Sequence, residues 1–248
     1  MKIENYREDQ DILQAVTNRL KELFDDIDKT LPFYLALSGG ETAKKLFSFW
    51  TKECRTLMDW SRFRFFWVDE RCVPPGDDDS NFGHANKLLY EPLGISSEHI
   101  FRIYGEKEPE GAAIRYSELV MRLVPKYRGL PQFDCIILGV GADAHTASIF
   151  PNMMSLLQDT RPYAVSVHPR SCQHRITMTG PVILNGAPLL VPIMGLGKEK
   201  MIEALKKGYS ETNKTPAAYV LSRADEALVF TRTSLPGDER TSAFHGNQ

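Results

Sequence analysis

Four short apolar runs, each stopping at glycines or charges, constrain this chain more than any other feature. They are residues 33–37, 63–68, 133–138 and 189–194, and they end at Ser38-Gly39-Gly40, Asp69-Glu70-Arg71, Gly139-Val140-Gly141 and Gly195. Runs of this length and composition read as buried strands. Between them, apolar residues recur at helical spacing, most clearly at Ile12, Leu13, Val16, Leu20, Leu23, Phe24 and Ile27. The spacing predicts further helices over 42–50, from Ser80 or Asn81 to about 90, from Pro109 to 123 and over about 198–207. It predicts further strands over 100–104, 164–167, 175–178 and 227–231. Alternating strands and helices point to an α/β fold with a doubly wound, mostly parallel, Rossmann-like sheet covered by helices on both faces. No repeat or linker divides the chain, so one domain over residues 1–248 is expected, with a loose polar tail from about 234.

Composition removes several function classes. A chain of 248 residues, 42% hydrophobic and 25% charged, has the makeup of an ordinary globular protein. Its net charge of −2 supplies no basic face, so no nucleic-acid partner is expected. No apolar run approaches the roughly 20 residues of a membrane span, and the polar start Met1-Lys2-Ile3-Glu4-Asn5 has no signal-peptide core. Cys54, Cys72, Cys135 and Cys172 are scattered and form no C-x-x-C pair. That argues against a zinc ribbon or a disulfide framework, and for free thiols in a cytoplasmic protein.

Ligands of open α/β sheets bind beyond the carboxyl ends of the strands, which makes the strand-end segments the candidates. In Ser38-Gly39-Gly40-Glu41-Thr42 the glycines admit a ligand close to the backbone, and the helix that follows offers N–H groups to a phosphate. The same segment fits a tight turn capped by Thr42, and the P-loop spacing is missing. Asp69, Glu70 and Arg71, three charges at a strand's carboxyl end, offer groups for hydroxyls and an anion, or form a solvated corner. Lys198 stands at a helix start, unfavourable for a cation unless an anion lies beside it; a surface lysine is the alternative. Arg175 heads a strand and faces either a phosphate or solvent. His145, two residues after Asp143, suits acid–base work because its ordinary pKa lies near neutrality, although a turn histidine is more often structural. No further nitrogen or sulfur ligands stand at metal-site spacing, so no metal is expected. No G-x-S-x-G elbow surrounds Ser148, and Ala144 stands where a dinucleotide fingerprint would have its third glycine.

Together these segments resemble the 6-phosphogluconolactonase family, in the superfamily that includes glucosamine-6-phosphate deaminase. The resemblance runs from Leu35 to about Leu205, in the family's order, through Leu37-Ser38-Gly39-Gly40, Val68-Asp69-Glu70-Arg71 and Ser80-Asn81. It continues through Gly139-Val140-Gly141-Ala142-Asp143-Ala144-His145-Thr146-Ala147-Ser148-Ile149-Phe150-Pro151, Arg175-Ile176-Thr177 and Gly195-Leu196-Gly197-Lys198. The residues after His145 follow the lactonase form, without the glutamate of the deaminases. Ala144 replaces the usual glycine of D-G-H, and Glu41 and Ala43 depart from the commoner S-G-G-S-T-P.

The resemblance implies hydrolysis of 6-phospho-D-glucono-1,5-lactone, with His145 as general base and Asp143 orienting it or binding a hydroxyl. It implies Asp69 on sugar hydroxyls, and the phosphate on the Ser38, Gly39 and Gly40 amides with Arg71, Arg175 and Lys198 as cations. It implies no metal or organic cofactor, no nucleic-acid or membrane partner, and a monomer or weak homo-oligomer. An amino-sugar-phosphate deaminase or isomerase and a non-catalytic sugar-phosphate sensor are the alternatives.

Overall fold

Strands buried on both faces need apolar residues at nearly every position, and the apolar runs supply them. The computed structural model describes residues 1–195 and 198–232. First come β1 Lys2–Tyr6, α1 Asp9–Asp26, β2 Phe33–Leu37, α2 Glu41–Glu53, β3 Phe63–Trp67 and β4 Asp69–Arg71. Next are α3 Asn81–Ala85, a π-helical turn Asn86–Tyr90, α4 Glu91–Leu93 and α5 Pro109–Leu123. A small hairpin, β5 Lys126–Tyr127 and β6 Leu130–Pro131, leads to β7 Cys135–Ile137. Then follow β8 Tyr163–Val167, β9 His174–Met178, α6 Gly180–Ile183, β10 Leu189–Ile193, α7 Glu199–Lys206, α8 Pro216–Arg223 and β11 Ala227–Arg232.

The main sheet has six strands in the order β1-β11-β10-β7-β2-β3, all pairs parallel. The chain winds outward from β2 to β3 on one side and from β7 through β10 to β11 on the other. The order therefore reverses between β2 and β7, and such a switch point leaves a crevice beyond the strand ends. Pro192 lies inside β10 without breaking it, because β7 pairs only as far as Leu190 and leaves Pro192 no partner on that side. Behind the switch point, Phe24, Phe33 and Phe63 stack with centroids 4.9–5.7 Å apart and fix α1 on the strands.

Segments 164–167 and 175–178, expected as strands without an assigned sheet, form with β4 a three-stranded antiparallel sheet in the order β4-β9-β8. The turn over 168–173 is too short for a crossover, so the two strands can only pair antiparallel. Val68 links the sheets: its N–H donates to Leu37 in the parallel sheet, and its carbonyl accepts from Met178 in the antiparallel one. Helix α5 packs mainly on β8 and β9, and its Tyr116 hydroxyl also accepts from the Trp67 amide of β3 at 3.0 Å. Residues 100–104 make a single bridge, Phe65 to Ile100, in place of the expected strand. Strand β1 was not legible because its charged Lys2 and Glu4 alternate with Ile3 on an edge. Leu196, Gly197 and the tail from 234 lie outside the described residues.

Candidate active site

Beyond the switch point lies a cavity of about 200 Å³. Its floor is the turn between β2 and α2. Gly40 is the N-cap of α2 at φ +89°, a conformation that suits glycine, and no side chain caps the helix. Thr42 is therefore inside the helix, not its cap. A Cβ on Gly39 would stand 1.8 Å from Asn81 Oδ1, so that position admits only glycine while Asn81 holds its place. Among the described residues no acceptor faces the Gly39 or Gly40 amide, and the first-turn N–H groups of α2 are equally open. The expected cradle loses one member: the Ser38 amide is already bound to the Ile137 carbonyl at 3.1 Å. Ser38 instead contributes its hydroxyl, which accepts from the Gly139 amide at 3.0 Å and ties the two glycine turns together.

The cationic wall comes from the antiparallel sheet. Alternation along β4 turns Asp69 and Arg71 to the cavity and Glu70 away from it. Glu70, 3% exposed, accepts from the amides of Arg71, Asn81 and Phe82 and from the Ser80 hydroxyl, so it caps α3. Arg71 is the cross-strand partner of Arg175, and both line the cavity. Like charges placed directly opposite repel, and an anion between them would remove that cost. Burial pushes the Arg175 guanidinium pKa down, Asp69 opposes this, and Arg71 adds to it. Lys198, half-buried at the N-cap of α7, faces the same cavity; burial lowers its ammonium pKa, with Asp9 opposing and Lys45 reinforcing.

The third wall is the loop after β7. Thr146 is fully buried, bridges to Val140 and Ile149, and donates to the Gly139 carbonyl at 2.8 Å. These bonds present His145 to the cavity, with its ring 4.8 Å from that of Phe150. His145 Nδ1 pairs with Asp143 Oδ1 at 2.5 Å, and the His145 amide donates to the same oxygen at 3.2 Å. Asp143 is not part of the cavity wall; it stands behind the ring. Partial burial would raise its carboxyl, but the charge and hydrogen bonds of His145 outweigh that and hold it below the ordinary range. A carboxylate on Nδ1 keeps the proton there and leaves Nε2 with a lone pair. Such a group can take a proton from a water in the cavity that Arg71, Arg175 and Lys198 line.

A family model described as glucosamine-6-phosphate isomerases/6-phosphogluconolactonase matches residues 7–230. This chain belongs to that family. It is 42% identical to 6-phosphogluconolactonase of Treponema pallidum, over 77% of this chain and 80% of that protein. It is 35% identical to 6-phosphogluconolactonase of Haemophilus influenzae, over 77% of this chain and 81% of the relative. The crystal structure of 6-phosphogluconolactonase from Leishmania guyanensis superposes with a TM-score of 0.80 at 24% identity, covering 93% of this chain and 95% of that one, and so shares the fold.

Within this isomerase/lactonase frame, the departure at Ala144 gains a physical meaning. Ala144 adopts φ +60°, and Ala147 φ +52°, so left-handed residues flank His145 and Thr146. A glycine, which the resemblance leads one to expect here, would adopt this conformation without a Cβ penalty; alanine adopts it in this chain. The Ala144 carbonyl accepts from the Ala217 amide at 3.0 Å, which docks the loop on α8. Glu41 pairs with Lys44 on the exposed side of α2, while Ala43 is buried. Reading the sequence left two contributors out. Asn81 lines the cavity and donates to the Asp69 carbonyl at 3.0 Å, which its place beside Ser80 in the motif could have signalled. Ser148, set aside for want of an elbow, donates to Asp69 Oδ2 at 2.7 Å across 79 residues, and no local signal marks that contact.

Proposed function

We propose that this chain hydrolyses 6-phospho-D-glucono-1,5-lactone to 6-phosphogluconate, a step of the oxidative pentose phosphate pathway. The observation that carries the reading is the His145–Asp143 pair on a cavity whose far wall sets Arg71 opposite Arg175. A lactone is an activated ester, so the reaction needs a base, an oriented substrate and little else. His145 Nε2 takes a proton from water as the water oxygen bonds to C1. The C1–ring oxygen bond then breaks, and the imidazolium returns the proton to the departing oxygen. Asp143 holds the proton on Nδ1 and stabilises the imidazolium as it forms. The phosphate sits on the Gly39 and Gly40 amides and the open N-terminus of α2, with Arg71, Arg175 and Lys198 around it; Asp69 takes sugar hydroxyls. Binding energy at the phosphate thereby positions the carbonyl carbon beside the base.

We take the chain as a single α/β domain, because β1 and β11, near opposite ends of the described residues, pair in one sheet. The proposal includes neither metal nor cofactor, no nucleic-acid partner, and a monomer or weak homo-oligomer. Free thiols at all four cysteines suit a cytoplasmic setting.

The test is His145→Ala assayed for lactone turnover, corrected for spontaneous ring opening. General-base loss should lower kcat by about 10²–10⁴-fold. Turnover close to that of the unaltered protein would remove His145 from the mechanism. Ammonia released from glucosamine 6-phosphate would mark the deaminase reading instead.

A further inference from the structure

The proposed chemistry leaves one buried hydroxyl beside the site without a role. Ser148 is 0% exposed, and each of its polar atoms bonds a different strand of the antiparallel sheet. Its amide donates to Thr177 Oγ1 of β9 at 3.0 Å, its carbonyl accepts from Ser166 Oγ of β8 at 2.5 Å, and its hydroxyl donates to Asp69 Oδ2 of β4 at 2.7 Å. Arg175 Nη1 approaches the same hydroxyl oxygen at 3.5 Å. Burial and commitment to Asp69 keep this hydroxyl from acting as a nucleophile.

Asp69 and Arg175 line one cavity with opposite charges, yet they make no direct ion pair. Each touches Ser148 Oγ instead. A hydroxyl is one donor and a two-site acceptor, so it can give its proton to a carboxylate while offering a lone pair to a guanidinium. We propose that Ser148 is a positioning residue that holds Asp69 and Arg175 apart, so that each keeps a free face for substrate. Without it the carboxylate would lose its donor and the guanidinium would close onto it, leaving the arginine neutralised and turned from the phosphate. The inference rests on the phosphate reading above and adds what keeps that subsite open.

Ser148→Ala tests it in two independent ways. Its crystal structure should contain a direct Asp69–Arg175 ion pair. Calorimetry with inorganic phosphate should give a dissociation constant about tenfold or more above that of the unaltered protein, the scale of one lost charge-assisted hydrogen bond. The Michaelis constant for the lactone should rise more than kcat falls. Adding Asp69→Asn removes the competing carboxylate, so the double variant should recover phosphate affinity relative to Ser148→Ala alone. Asp69→Asn alone gives the gain that loss of a neighbouring carboxylate brings any anion, and the gain over Ser148→Ala in the double variant should exceed it; a merely structural serine would give equal gains. Ser148→Cys, close in size with a weaker donor, should move affinity in the same direction by less, and serves if the alanine variant does not fold. Unchanged phosphate affinity in Ser148→Ala, or a double variant as weak as the single, overturns the inference. An ion pair seen in the variant, with no phosphate bound by the unaltered protein, sinks the phosphate reading and leaves the spacer standing.

Discussion

Ala144 holds a left-handed backbone conformation that glycine adopts more readily. A left-handed alanine costs about 1–2 kcal/mol through its Cβ, while a glycine there would lose roughly 0.4–1 kcal/mol more chain entropy on folding. Ala144→Gly should therefore raise stability by up to about 1.6 kcal/mol in urea unfolding, with kcat within about twofold, since the loop already adopts φ +60°. A loss of stability would mean that packing of the buried Ala144 methyl outweighs its backbone strain. At this scale the sequence marked His145, Asp69, Arg71, Arg175 and Lys198, which the structure brings to one cavity. The Ser38 amide and Ser148 were not legible. One is claimed by a neighbouring strand and the other by a carboxylate far along the chain, and neither partner follows from local sequence.

At the scale of elements, β4 is three residues long and does two jobs by alternation. Asp69 and Arg71 face the cavity, whereas Glu70 closes the N-terminus of α3 and so anchors Asn81 against Gly39. Burial pushes the Glu70 carboxyl up to about 7, opposed by the amides of Phe82, Asn81 and Arg71. Its folded value thus exceeds the ordinary 4.5, so the folded state binds the proton more tightly. Its contribution to stability should be complete below about 4.5 and fall as pH rises to about 7. Glu70→Gln points an amide NH₂ at backbone donors; it should cost about 1–3 kcal/mol and flatten stability across that pH window in urea titrations. A variant as stable as the parent, with the same slope, would show that the cap contributes nothing. The sequence revealed that β8 and β9 exist, but not that they leave the main sheet, because direction of pairing is set by the connection and not by the strand.

For the whole molecule, strand order decides where chemistry can occur. Chain reversal between β2 and β7 opens a crevice, and the handover at Val68 swings a second sheet across it. The proposed anion site draws on elements far apart in the chain, with Arg71 and Arg175 as cross-strand partners on one cavity wall. If phosphate binds between these arginines, the ligand should stabilise the fold. At a 6-phosphogluconate concentration of 100 times the dissociation constant, linkage predicts about 2.7 kcal/mol of stabilisation. For a chain of this size that corresponds to a Tm rise of roughly 5–10 °C by calorimetry. Gluconate without the phosphate should raise Tm far less at the same concentration, and Arg71→Gln or Arg175→Gln should shrink the phosphate-dependent part of the shift. Equal shifts from the two ligands would place the binding energy on the sugar hydroxyls and Asp69, and would leave the opposed arginines without the anion their placement requires.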